Sequence, residues 1–212
     1  MGKFRHQHPS RRINPDTFND YREYRPQLKE DFGGRCGYTD CSDRWWGVKF
    51  QVDHFAPLHP KVADEHKQSF LDGELNYNNL VYACPQVNNA KRNYWASNSP
   101  TEPINGDVGL LDPCTIDYND YFERTDTGRI VALNNNSIAQ HMIDRLKLYL
   151  FRYELYWRME ELLGRFNELH TLSEDDATMQ QFGDEIKDAI FTLNKEFVNY
   201  FNYIGINQPD IA

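Results

Sequence analysis

Three short segments between residues 52 and 93 constrain this chain more than any other feature. They are Val-Asp-His-Phe-Ala-Pro-Leu at 52–58, Asn-Asn-Leu-Val-Tyr-Ala-Cys at 78–84 and Val-Asn-Asn-Ala-Lys-Arg-Asn at 87–93. The run Val48-Lys49-Phe50-Gln51-Val52 alternates apolar and polar residues, the period of a half-buried strand, and Asp53 and His54 close it. Pro57 and Pro60 mark a loop, Leu80-Val81-Tyr82-Ala83 reads as a second short strand, and Pro85 to Asn93 reads as a helix. The predicted unit is strand, loop, strand, helix.

The polar residues in that unit suit phosphodiester hydrolysis. Such a reaction needs an activated water, neutralisation of charge developing on phosphorus, and stabilisation of the leaving oxygen. Asp53 offers a hard anionic oxygen and the Asn88 amide a neutral one, a set that suits Mg²⁺ (or Mn²⁺) and leaves coordination positions open. His54 supplies a base. Neighbours on a strand point to opposite faces, so Asp53 and His54 serve one site only where the strand ends or bends.

These residues resemble the HNH, or ββα-metal, nuclease family. Its members carry an Asp-His pair ending the first strand, an Asn before an apolar strand, and a His or Asn on the next helix three residues before Lys. Here those are Asp53-His54, Asn79 and Asn88 with Lys91, and the match covers roughly residues 36–93. The resemblance implies that His54 deprotonates the attacking water and that Asp53 and Asn88 hold the metal. It also implies that Asn79 completes the catalytic pair by fixing the loop and the histidine. Lys91 and Arg92 stand where a phosphate contact is expected.

Many relatives staple this fold with zinc held by two Cys-x-x-Cys pairs. Here Thr39 and Val87 replace the expected partners of Cys36 and Cys84, Cys41 is oddly spaced, and structural zinc is not expected. A looser resemblance extends further. Gly109-Leu-Leu-Asp-Pro-Cys114, Gly128-Arg-Ile130 and a long helix with Arg145 and Arg152 look like the HNH subunits of Septu-type and retron-associated anti-phage systems. That likeness implies a bacterial defence role and an ATPase or other sensor subunit as partner; DNA is the expected substrate, with RNA left open because nothing in the motif reads the 2′-hydroxyl.

The formal charge of −9 is awkward for a nuclease, because Lys and Arg supply most affinity for phosphates. Local patches must serve, with Arg5, Arg11 and Arg12 as further candidates. No stretch approaches the ~20 apolar residues of a membrane span, and the start lacks both a secretory core and a myristoylation pattern. The expectation is a cytoplasmic protein with no membrane association.

The expected fold class is α+β, a small ββα-metal core embedded in a mainly helical chain that ends in a helical hairpin. Residues 1–35 form an N-terminal arm and helical lead-in, with Thr17 a helix cap and Pro26 dividing that helix. Residues 36–95 form the nuclease core, 96–136 a wrap of loops with a hairpin around Asp126-Thr127-Gly128, and 137–212 the helical hairpin. One helix is expected from Ser137 to about Leu169, and a second, capped by Ser173, to about Tyr203. The competing reading is a catalytically silent module that binds nucleic acid and docks a partner through its C-terminal helices. A zinc-stabilised adaptor is a third, lacking the cysteines it needs.

Overall fold

The computed structural model describes residues 2–206 and has an α+β fold. The elements are β1 (Gly2–Lys3), α1 (Arg25–Asp31), β2 (Gln51–His54), α2 (Asp64–Leu71), β3 (Leu80–Ala83), α3 (Pro85–Lys91), β4 (Ile104–Asn105), β5 (Val108–Gly109), β6 (Phe122–Arg124), β7 (Ile130–Ala132), α4 (Ser137–Leu146), α5 (Phe151–Ser173) and α6 (Asp176–Ile206). The chain divides into two compact units, residues 1–153 and 154–212.

In the first unit β2 and β3 form an antiparallel pair in the register Gln51↔Ala83 to His54↔Leu80. The strand starts later than the alternation suggests, because pairing begins only opposite Ala83; Phe50 lies outside the ladder, fully buried. A second sheet runs β1-β6-β7, with β6 and β7 joined through the expected Asp126-Thr127-Gly128 turn.

The N-terminal segment is not a loose arm. Gly2–Lys3 pairs with β6, and Phe4 packs against Tyr118 and Phe122 at ring distances of 5.5 and 5.4 Å. Arg5, Arg11 and Arg12, expected as a phosphate patch, are instead used internally. Arg5 Nη2 donates to the Gly37 carbonyl (2.7 Å), Arg11 makes a two-pronged bond to Asp112 and donates to the Leu80 carbonyl, and Arg12 pairs with Asp31. A guanidinium fork matched to carboxylate or carbonyl is most useful where it is desolvated, as at Arg5 and Arg11, while Arg12 pairs nearer the surface.

Helix starts differ in detail. Asp20, not Thr17, caps the lead-in by accepting from Arg22 N, and Pro26 falls in the first turn of α1, where its missing N–H costs nothing. Helix α2 falls in the expected loop after Pro60, carrying Asp64 and Glu65 in its first turn.

The expected single helix from Ser137 breaks. Asn136 caps α4 by accepting from Ala139 N, and Lys147 ends it in the left-handed region (φ 55°, ψ 41°). The N–H groups of Lys147 and Leu148 both reach the Ile143 carbonyl, a left-handed termination usually marked by Gly or Asn.

In the second unit α5 and α6 form a helical pair joined by an Arg158–Glu196 contact of 3.5 Å. Ser173 does not cap α6; it is the last residue of α5 and its hydroxyl donates back to the His170 carbonyl. Phe182 interrupts the helical geometry of α6 (φ −129°, ψ 21°). Among the described residues no helix is long and apolar enough to cross a membrane.

Candidate active site

The β2–β3 pair is the platform, and α3 packs along it. Strand β3 is buried throughout, which its unbroken Leu-Val-Tyr-Ala run requires. Pro85 opens α3 directly after Cys84, so Asn88 and Lys91, three residues apart, lie on one helical face.

Strand alternation separates Asp53 from His54. Asp53 points inward and is 5% exposed. Its Oδ2 accepts from the Tyr38 hydroxyl (2.7 Å), and its Oδ1 lies 3.0 Å from the Lys91 ammonium. Lys91 is 0% exposed and also donates to the His54 carbonyl at 2.6 Å. Its ammonium is therefore consumed inside the fold. Lys91, expected to touch phosphate, instead locks α3 to β2.

His54 alternates away from Asp53 and is half-buried, but it is the last residue of β2 and stands where the strand ends, the condition under which the two can serve one site. Its Nε2 sits 2.9 Å from the Glu74 carbonyl, and a carbonyl can only accept, so Nε2 carries the proton and Nδ1 is left as the basic nitrogen. Burial pushes the imidazole below the ordinary histidine value and the Lys91 charge adds to this, against the opposing pull of the Glu74 bond and Asp53. A histidine so placed is neutral at physiological pH and able to take a proton. The Tyr21 ring meets it edge-on at 4.5 Å.

Asn79 acts on the loop after β2. Its Oδ1 accepts from Ala56 N (2.8 Å) and its Nδ2 donates to the Ala56 and Gly73 carbonyls, while its own carbonyl accepts from Phe55 N. The expected hold on the histidine falls instead to the Glu74 carbonyl. Gly73 leaves the room that Asn79 needs, since a Cβ there would lie 2.9 Å from the Asn79 Nδ2.

Asn88 donates from Nδ2 to Gln51 Oε1 (2.8 Å), and among the described residues its Oδ1 has no hydrogen-bond partner. Gln51 and Asp53 share a strand face by the two-residue period. Among the described residues no group of three or more His, Cys, Asp or Glu could hold a metal ion. The donors that fit a hard divalent cation here are the Asp53 carboxylate and the Asn88 carbonyl. Lys91 already sits at Asp53, but each carboxylate oxygen keeps a further lone pair.

Beside Asn88 opens a cleft lined by Tyr21, Arg22, Arg25, Lys49, Gln51 and Asn88 among others. Three cations thus stand next to the site that sequence reasoning missed. Arg22 and Arg25 repeat at i, i+3 in Tyr-Arg-Glu-Tyr-Arg, a signal that could have found them. Arg92, expected at the nucleic acid, is exposed and ends α3 with φ 49° and ψ −130°.

The loop that carries Cys36 and Cys41 is fixed by buried arginines. Arg124 is 0% exposed and donates to the carbonyls of Phe4, Gly128 and, at 2.6 Å, Thr39, while Arg5 holds Gly37. Cys36, Cys41 and Cys84 are buried thiols outside any disulfide, and Cys84 N donates to Cys36 Sγ at 3.3 Å. Burial alone would raise the Cys36 thiol, but hydrogen bonds from Cys84 and Thr39 hold it down, to about 7. The pinned loop carries Tyr38, which aims at Asp53.

No family model and no solved structure matches the chain. A curated relative, the Septu protein PtuB of Bacillus mycoides (strain KBAB4), is 28% identical over 115 residues, covering 49% of this chain and 39% of that protein. The chain therefore resembles well under half the length of a protein named for the Septu system.

Proposed function

We propose that this chain is a divalent-metal-dependent HNH-type endonuclease that hydrolyses DNA as the effector of a Septu-type anti-phage defence complex. The observation that carries the proposal is His54: its Nε2–H is spent on the Glu74 carbonyl and its Nδ1 left basic, in a ββα frame that also bears Asp53 and Asn88. Residues 36–95 are the nuclease core in this reading.

His54 Nδ1 takes the proton of the attacking water, and burial keeps the ring neutral for that task. Asp53 and Asn88 hold the cation. Mg²⁺ or Mn²⁺, when bound, neutralises charge on the phosphate and the leaving oxygen. Tyr38 and Lys91 fix the Asp53 carboxylate, and Asn79 fixes the loop that follows His54. Arg22, Arg25, Lys49 and Arg92 provide the positive surface that the overall charge denies. The resemblance to the Septu protein supports the defence role, and in this reading the partner is an ATPase or other sensor subunit. Phe191, Val198 and Phe201, exposed on α6, suit such docking.

One observation favours the silent binding module instead: the Lys91 ammonium already neutralises Asp53. Supercoiled plasmid incubated with the protein in Mg²⁺, Mn²⁺ or EDTA separates the two. The nuclease yields nicked or linear DNA only with metal. Salt-sensitive binding without product in either metal, with the partner subunit present, would support the module.

A further inference from the structure

At the C-terminal end of α3 opens a second concavity. It draws Lys61, Arg92, and Arg145 with Lys147 from three separate parts of the chain, and among the described residues no carboxylate lines it. In a chain with 32 acidic and 23 basic residues, four cations meeting without an acid is far from the average surface. Among the described residues none of the four is in an ion pair, whereas Arg11, Arg12, Arg35 and Lys91 all are.

Arg145 is held ready. Its Nη2 donates to the Lys91 carbonyl (3.2 Å), its guanidinium lies 4.6 Å from the centre of the Tyr94 ring, and its Nε is buried with no partner. Tyr94 is itself tied down by a 2.7 Å bond between its hydroxyl and His141 Nε2. A guanidinium fixed on one side by a carbonyl and a ring presents its remaining donors as a ready fork.

A second observation is independent of the first. Non-glycine residues with positive φ are Asp40, Asn134, Asn135, Arg92 and Lys147 among the described residues. Asp and Asn tolerate that region through short polar side chains, but Arg and Lys gain nothing from it. The two cations held in a conformation that favours glycine both line this concavity. Both residues are helix ends, so the terminations of α3 and of α4 deliver their cations to the same concavity.

We infer that this concavity is a second phosphate-binding subsite, in which Lys61, Arg92, Arg145 and Lys147 grip the sugar–phosphate backbone of duplex DNA away from the scissile bond. The inference rests on the nuclease reading for the identity of its ligand. Lys91 ties the two sites together, because its side chain holds Asp53 while its carbonyl holds Arg145. Backbone contacts of this sort fix the register of the duplex without reading its sequence.

The test is the affinity of wild-type and variant protein for a fluorescent DNA duplex in EDTA, across a salt series. Arg92→Gly and Lys147→Gly each remove a cation while relieving a strained φ, so the folded state is retained, and thermal melting checks this. Each phosphate left without its cation should reduce the slope of log K against log salt by about 0.9, so the slope should fall by about 1.8 in the double variant. Arg145→Lys, which keeps the charge but not the fork, should weaken binding less than Arg145→Gln. Unchanged affinity and slope in the double variant, with wild type binding normally, would overturn the subsite and leave the nuclease reading standing. Wild type that fails to bind duplex at all would overturn both. Inorganic phosphate that competes equally well for wild type and double variant would also count against the subsite.

Discussion

Replacing Lys91 with Met is expected to unfold the site rather than weaken a phosphate contact. The ammonium is 0% exposed, lies 3.0 Å from Asp53 Oδ1 and 2.6 Å from the His54 carbonyl, and no solvent reaches it. Methionine fills much of the volume but leaves a buried carboxylate with the Tyr38 hydroxyl as its remaining side-chain partner. Breaking one side of a buried pair costs about 3–5 kcal/mol, because the charge left behind is uncompensated. For a unit of this size each kcal/mol lowers Tm by about 2–4 °C, giving a fall of about 6–20 °C. Urea denaturation of Lys91→Met, Asp53→Asn and the double variant would read it out. The double variant should be more stable than Lys91→Met alone, since it leaves no unpaired charge. A loss under about 1 kcal/mol in Lys91→Met, or no recovery in the double variant, would refute the buried-pair account.

Cleavage should rise with pH and reach half its plateau below ~6.5, because burial holds the His54 imidazole under its ordinary value and only the neutral ring accepts a proton. The same shift makes the unfolded chain bind more protons as pH falls, so the stability His54 contributes is present above ~6.5 and lost as pH drops through its folded value; a cleavage rate still climbing beyond pH 7.5, with chemistry limiting, would contradict the assignment. Asn79→Ala removes three side-chain hydrogen bonds and strands the Ala56 N–H, so a loss of about 1–3 kcal/mol in chemical denaturation is expected, with cleavage falling at temperatures where the fold persists. Arg124→Ala should cost about 2–4 kcal/mol by freeing the carbonyls of Phe4, Thr39 and Gly128, and Arg124→Lys should recover less than half of that because an ammonium cannot span all three.

Legible in the sequence is whatever local pattern controls. The order strand, loop, strand, helix follows from alternation and punctuation between residues 48 and 93, and the 122–132 hairpin from Asp-Thr-Gly. The loop-fixing side of Asn79 is visible because an Asn ahead of a strand reaches backbone groups nearby. Lys91 misleads because Asn-x-x-Lys spacing says which helical face it shares, not whether that face meets solvent or Asp53. The N-terminal arginines look like a basic tail in sequence, and only the pairing of Gly2–Lys3 with β6 carries Arg5 to Gly37. The break at Lys147 carries no Gly, Asn or Pro, so no local signal announces it. Long-range assembly hides most. Lys61, Arg92, Arg145 and Lys147 come together only once α4 lies against α3, and nothing in their separate neighbourhoods foretells that.

The most direct test of the central claim is the rate at which wild-type protein and His54→Ala cut supercoiled plasmid at low salt in Mg²⁺, with matched melting curves to show that both are folded. The account predicts cleavage by the wild type that EDTA abolishes and that His54→Ala lacks. A folded His54→Ala that cuts as fast as the wild type would contradict it.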